Sequence, residues 1–493
     1  MPAAACYSGR RFALNADPSP MIRTLLWHDY EAFGADPRRD RPAQFAAIRT
    51  DEQLNEVGEP LMWYCVPPLD YLPSPTACLI TGITPQLAAR KGLSELAFIR
   101  NIHQAFSQPG TCGVGYNTLR YDDEMTRHTL YRNLLDPYGR EWQNGNSRWD
   151  IIDMVRTCYA LRPEGLHWPQ REDGAPSFRL DQLVPANGID HGQAHDALAD
   201  VRATIALARK IREAQPKLYD YLYNLRSKQQ AAAQLKLPEL TPLVHVSSRF
   251  AAQQGCINWV LPLAFHPSNR NAVICAVLDR LPDSLKGFSV EELRQRLYSR
   301  KDELDGDRPP LKLVHLNRCP VLAPAKMLSR ERAAELGIDA QLAEEALRQW
   351  RADAGLRDLA CSVFAEGEHG PADDVELDLY GGFISDGDRA TMALVHSMSP
   401  QDLASASPHF NDPRLNELLF RLRARNWPDS LNPAEQRRWL DHCQRRLASP
   451  NPVARDFQSF ATELEELAER HASDEAKMAI LKACYDWAAR LAG

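Results

Sequence analysis

Between Ile22 and about Ile211 the chain alternates short apolar runs of strand length with longer stretches of helical period. A run at 24–28 is followed by "AQFAAIRT", "MWYCV" and later "TCGVGY", which read as strands. Apolar residues recur every three or four positions in 93–106, 122–134 and 196–212, predicting helices with one buried face. Strands and helices interleaved in this way predict an α/β or α+β domain with a mixed sheet.

The pattern changes after residue 212. "EAQPKLYDYLYNLRSKQQAAAQLKLPELTPL" reads as a polar, partly helical connector. Beyond it, "LVHVS", "INWVLPLAF", "NAVICAVLD" and "LKLVHLN" are short β-like runs broken by Pro and Asn, with helices near 290–298 and 329–351. "EGEHGPADDVELD" marks a boundary, and charged amphipathic helices follow from about 387 to Leu491, with Trp427, Trp439 and Trp487 as expected core residues. The expected domains are therefore 21–212, 216–370 (β-rich, with inserted helices) and 372–491 (helical). Residues 1–20 are expected to be a disordered extension, with Met21 a candidate start.

Composition agrees with several globular domains: 493 residues, 44% hydrophobic and 25% charged. No apolar run approaches the ~18 residues that would suggest a membrane span. The eleven cysteines are scattered singly without a CxxC pair, which favours reduced thiols in a cytoplasmic protein over a disulfide frame or zinc site. A net charge of −7 argues mildly against nucleic acid for the molecule as a whole, but a local basic groove can coexist with it.

Three segments carry candidate chemistry. In "LLWHDYEAFG" (25–34), Asp29 and Glu31 are two apart and share one face of a strand. Two carboxylates beside an apolar element repel unless a basic side chain or a metal lies between them. In "GYNTLRYDDE" (115–124), Asn117 precedes Asp122, Asp123 and Glu124, which open a helix and would also complement its dipole. In "HGQAHDALADVRATIALARKI" (191–211), Asp196 and Asp200 are four apart on one helical face, and His195 stands at the helix entrance.

Four acids and one histidine in this order and spacing resemble the DEDDh family of 3′→5′ exonucleases, whose domain is ribonuclease H-like. The likeness covers about 22–212, through the strand "HDYEAFG", the following "LITGIT" (79–84), which the resemblance implies to be a sheet segment, the Asn117–Asp122 spacing and the His195–Asp200 spacing. It extends to a three-domain member of that family along collinear segments such as "RPAQFAAIRTD", "NSRWDIIDMVRTCYALRPEG", "PLAFHPSNRNAVI" and "LKLVHLNRCPVLA".

The resemblance implies a mixed-sheet exonuclease domain, an SH3-like β-rich domain and a C-terminal helical domain closing around a channel for single-stranded DNA. It implies that Asp29, Glu31, Asp122 and Asp200 bind two Mg²⁺ ions, with Mn²⁺ as a substitute, and that His195 is the general base. Asp123, Glu124 and Asp196 become neighbours. Glu31 and Arg179 fall beside the terminal nucleotide. Arg127, Tyr138, Trp142, Arg156, Asn271, Lys312 and Asn317 fall on DNA-contacting positions. Arg132 and Arg148 belong to the same basic–aromatic stretch. A monomer is expected, acting in DNA repair. The acidic C-terminal tail of single-stranded-DNA-binding protein is an expected partner, received by a basic helix at 330–351 bearing Arg330, Arg332, Arg348 and Arg351. Thr241 stands where a lysine of that pocket is expected. The competing readings are another member of the family, acting on RNA or in proofreading, and a non-catalytic adaptor that binds nucleic acid.

Overall fold

The computed structural model describes residues 22–190, 197–237, 239–300, 303–304, 306–365, 372–448 and 454–492. The expected N-terminal extension and His195 lie outside these residues. Of the described helices none is long and apolar enough to cross a membrane.

The first sheet has the order β3-β2-β1-β4-β5, built from β1 (Thr24–Ala32), β2 (Pro42–Thr50), β3 (Leu61–Tyr64), β4 (Thr111–Gly115) and β5 (Ser147–Asp150). β1 is central, antiparallel to β2 and parallel to β4, so the sheet is mixed. Its alternation divides the core. Leu25 and Trp27 join Val201, Ile205 and Ala208 on one side, whereas Leu26 and Tyr30 join Phe98, Ile102 and Met125 on the other.

The helices of this domain are α1 (Pro75–Thr81), α2 (Pro85–Lys91), α3 (Glu95–Phe106), α4 (Asp122–Arg132), α5 (Ile152–Leu161), α6 (Leu180–Ala186) and α7 (Ala197–Ala214). The strand-like reading of 79–84 is corrected: Leu79–Thr81 is the last turn of α1. Ser74 accepts from the Ala77 N–H and Pro75 opens the helix, while Gly82 at φ 69° ends it. These local signals outweigh β-branching.

After α8 (Pro216–Leu225) and α9 (Lys228–Ala233), a second, antiparallel sheet has the order β10-β6-β7-β8-β9. Its strands are β6 (Leu243–Val246), β7 (Ile257–Phe265), β8 (Ala272–Val277), β9 (Leu311–His315) and β10 (Val321–Pro324). With them go α10 (Val290–Tyr298), α11 (Arg330–Glu335), α12 (Ala340–Ala352) and α13 (Ala354–Ser362). The single basic helix expected at 330–351 is therefore two helices. Gly337 adopts φ 67°, and Asp339 caps α12 by accepting from Gln341 and Leu342 N–H. Its four arginines are engaged: Arg330 with Glu344, Arg332 with Glu335, Arg348 with Glu345, and Arg351 with the Leu240 carbonyl.

The C-terminal domain contains α14 (Asp386–Ser397), α15 (Pro400–Ala406), α16 (Pro413–Asn426), α17 (Pro433–Ala448), α18 (Phe457–Arg470) and α19 (Glu475–Ala492). Trp487 is core, but Trp427 and Trp439 are only half-buried against the edges of their clusters. The domain folds back on the first. Ser74 donates to Glu463 (2.8 Å) and the Gln86 amide to the Ala483 carbonyl (2.6 Å). A buried ionic network crosses the same boundary, pairing Arg41 with Glu376 (2.7 Å) and Arg425 with Asp70 (2.7 Å).

Candidate active site

The site forms where two central strands part. β1 and β4 pair from Thr24 and Thr111 as far as Trp27 and Val114. Beyond that point Gly115 lies so close to β1 that an added Cβ would sit 2.8 Å from the His28 carbonyl and 2.2 Å from the Thr118 methyl. The chain then turns through Asn117 at φ 63° and enters α4. Asp122, the first residue of α4, is buried, and its carboxylate accepts the Tyr30 N–H at 3.1 Å. It thus takes up a β1 donor beyond the last residue paired with β4.

Asp29 and Glu31 project on the α7 side of β1. Asp200, in the first turn of α7, meets them there, and ligand oxygens of the three carboxylates all lie within 4.8 Å of one another. Among the described residues this is the sole group of His, Cys, Asp or Glu side chains spaced to hold a metal ion. Burial, and after it the charges of Asp122, Glu31 and Asp200, pushes the Asp29 carboxyl well above the usual carboxylate range. Burial and Asp123 do the same to Asp122. Such a cup gains free energy by binding a divalent cation, and oxygen donors without a thiolate suit a hard ion such as Mg²⁺ or Mn²⁺.

The other groups near the acids turn elsewhere. His28 packs edge-on to Phe106 on the opposite face of β1, and burial lowers its pKa to about 4. Asp123 is held by Arg140 (2.7 Å) and Arg148 (2.9 Å), and Glu124 pairs with Arg127 (2.8 Å). Sequence reasoning missed Asp150. Its carboxylate accepts from Asn117 and Ile152 N–H on one oxygen and Leu119 N–H on the other, fixing the turn that delivers α4. The available signal was an acid ending an apolar strand in "SRWDII".

Most of the residues expected to contact nucleic acid are held by protein partners. Arg127 is buried, bound through two nitrogens to Glu141 (2.7 and 2.8 Å), and lies 5.4 Å from the Tyr138 ring. Trp142 is 63% exposed. Arg156 pairs with Asp153 (2.6 Å) beside Phe178, and the exposed Arg179 pairs with Asp181 (2.7 Å). In the second domain, the Asn271 side chain accepts from Lys228, and Lys312 donates to Ser247 (2.9 Å). Burial and Arg249 lower the Lys312 pKa to about 8. The Asn317 carbonyl accepts from Arg148 (3.0 Å), linking the two domains. Arg132 and Arg148, read as part of the same stretch, serve as internal counter-ions of Glu95 and of Asp123 with Glu141.

A mixed sheet whose central strand and two flanking helices converge four acids defines a metal-dependent nuclease domain of the ribonuclease H-like class. Residues 26–208 match the exonuclease family model, 226–366 the exonuclease I SH3-like domain and 373–491 the exonuclease I C-terminal domain. Exodeoxyribonuclease I of Escherichia coli K12 is 50% identical over 467 residues, covering 94% of this chain and 97% of the relative. The Haemophilus influenzae protein of the same name is 47% identical, covering 94% and 98%. The structure superposes with a TM-score of 0.91 on E. coli exonuclease I in complex with a dA16 oligonucleotide, at 49% identity over 95% of this chain and 100% of that one. A zinc-bound E. coli exonuclease I–single-stranded DNA complex gives 0.91 at 48% identity, covering 96% and 100%. The chain belongs to the exodeoxyribonuclease I family and is an exonuclease.

Proposed function

We propose that this exonuclease hydrolyses single-stranded DNA processively from 3′ to 5′, releasing 5′-mononucleotides in DNA repair and recombination. The observation that carries the reading is the convergence of Asp29, Glu31 and Asp200 within 4.8 Å. These three and Asp122 would hold two Mg²⁺ ions, with Mn²⁺ as a substitute. Bound divalent ions supply Lewis-acid stabilisation of phosphate charge and acidify a water.

The chain's own residues do the remaining work. Asp29 and Glu31 keep their spacing because a central strand fixes it, and the Tyr30 N–H keeps Asp122 aimed. His195, five residues before Asp200, takes the proton of the attacking water, for which an imidazole is suited near neutral pH. Glu31 and Arg179 position the terminal nucleotide. Arg127, Tyr138, Trp142, Arg156, Asn271, Lys312 and Asn317 track the strand, with the exposed Trp142 ring offering a stacking surface. Phosphates compete with Glu141 and Asp153 for Arg127 and Arg156.

The acidic tail of single-stranded-DNA-binding protein, expected at the helices of 330–351, where each of the four arginines is already engaged, would instead enter a cleft of about 490 Å³ between the first two domains. Leu161, Leu218, Leu222 and Met327 give it an apolar floor, and Arg162 and Lys217 give it cations. The enzyme is read as a cytoplasmic monomer: one chain supplies all four acids, so the site needs no second copy.

Matched single-stranded DNA, duplex DNA and RNA, each labelled at either end, test the reading. Metal-dependent release of mononucleotides from the 3′ end of single-stranded DNA is expected. Binding without release under any metal would sink it.

A further inference from the structure

Arg148, on the edge strand β5, is buried and divides its guanidinium among three segments far apart in the chain. One terminal nitrogen donates to Asp123 (2.9 Å) and the other to the main-chain carbonyl of Asn317 (3.0 Å), while Nε lies 3.1 Å from Glu141. A further contact comes from its own backbone, whose carbonyl accepts from the Cys319 thiol (3.1 Å). Charge balance is the ordinary reason for a buried arginine. Here it does not cover every contact. Asp123 already has Arg140 on its other oxygen at 2.7 Å, and Glu141 already has Arg127 on two bonds. Among the described residues no hydrogen bond or ion pair joins Arg140 to the second domain, whereas Arg148 reaches it twice.

What it reaches there is the turn between β9 and β10. Cys319 stands in the left-handed region at φ 45°, and the Leu316 N–H donates to the Asn271 carbonyl (2.7 Å), so the turn has a defined shape within its own domain. Arg148 fixes that shape against the nuclease domain through the Asn317 carbonyl and the Cys319 thiol, and leaves the Asn317 side chain exposed. On the opposite side of the same guanidinium, Asp123 is the neighbour of the site acid Asp122 on α4, and Glu141 orients Arg127. A planar fork has fixed bond directions, so three partners held by one fork are also held at fixed distances from one another.

We propose that Arg148 is a positioning residue that seats the β9–β10 turn, and with it the Asn317 side chain, at a fixed height over the helix carrying Asp122. Arg148 touches neither strand nor metal. It sets the spacing between a group that holds the strand and the helix that supplies a cup acid. This role rests on the single-strand reading above, in which Asn317 meets the DNA, and adds to it the side chain that aims that contact.

The test is a double-mutant cycle on the full chain, read as the anisotropy Kd for a 5′-labelled oligothymidylate of about 16 nucleotides in chelator. Arg148→Lys keeps the charge beside Asp123 and Glu141 and gives up the fork. It is expected to weaken binding about 2- to 12-fold, the range for one neutral hydrogen bond, and to cause no further loss in an Asn317→Ala background. Arg148→Gln repeats the cycle without the charge. Arg140→Lys, which loosens the same Asp123 without reaching the turn, keeps the wild-type Kd. Hydrogen exchange of the 315–320 turn, measured without DNA, speeds up in both Arg148 variants and stays at the wild-type rate in Arg140→Lys. The role is overturned by an equal loss in both backgrounds, by no loss, by an equal loss for Arg140→Lys, by unchanged exchange of the turn, or by an Asn317→Ala protein that binds as wild type does. A wild type that neither binds nor degrades the strand overturns the single-strand reading instead.

Discussion

Replacing Asp29 by asparagine should stabilise the metal-free protein while abolishing activity. At 4.8 Å and an effective dielectric of about 20, each fully ionised pair that Asp29 makes with Glu31 and Asp200 costs about 3.5 kcal/mol. Two terms limit the strain. One carboxyl can take up a proton, and water at the half-buried edge screens the charges. A gain of about 1–3 kcal/mol is therefore expected for Asp29→Asn in chelator near pH 7. The sign is also legible in pH. The folded protein holds a proton on Asp29 above the usual carboxylate range, where the unfolded chain has released it. Metal-free wild type must then lose stability as pH rises from that range through the raised value, and the variant must lose less. Urea unfolding in chelator across that window measures both effects. With Mg²⁺ or Mn²⁺ the order should reverse, because the wild type gains more from the ion. An Asp29→Asn protein no more stable than wild type in chelator, with the same pH slope, would refute the idea that these acids repel.

Glu376→Ala removes the carboxylate shared by Arg41 and Arg425 at 2.7 and 2.5 Å, leaving fully buried Arg41, among the described residues, with Glu95 at 3.8 Å as its ion pair; a loss of about 3–5 kcal/mol in urea unfolding is expected. Asp150, pushed up to about 6 by burial, binds a proton in the folded protein that the unfolded chain has lost. Stability should therefore fall as pH rises from about 4 to about 6, and Asp150→Asn should flatten that slope. His195→Ala should slow turnover about 10²- to 10⁴-fold while single-strand binding in chelator stays at the wild-type level. Single-turnover rates set against anisotropy separate the two.

Much of the first domain is readable from its pattern because its strands are short, apolar and bounded by turn residues. β1 and α7 are the clearest, and the acids they carry stand out as charges on otherwise buried elements. What stayed hidden depends on distance along the chain. Arg127, Arg132 and Arg148 read as one basic stretch, yet each is neutralised by a carboxylate, and Arg41 meets Glu376 across 335 positions. No local window shows a counter-ion that far away. The error at 79–84 has a different origin: a likeness to sheet segments stood in place of the local signals, a Ser-Pro start and a glycine stop. The break at 336–339 was obscured because the charges of α11 and α12 run on across it.

The packing of α18 and α19 against α1 and α2 also sets an order of events during synthesis. Gln86 waits for a carbonyl 397 positions downstream, and Cys78, Tyr71 and Leu72 share their cluster with Phe460, Cys484 and Ala488. While the ribosome is still adding the middle of the chain, that apolar side of the nuclease domain has nothing to cover it. A nascent chain stalled or truncated before α19 would thus display a sticky flank, and such chains should be the ones that chaperones hold and proteases clear.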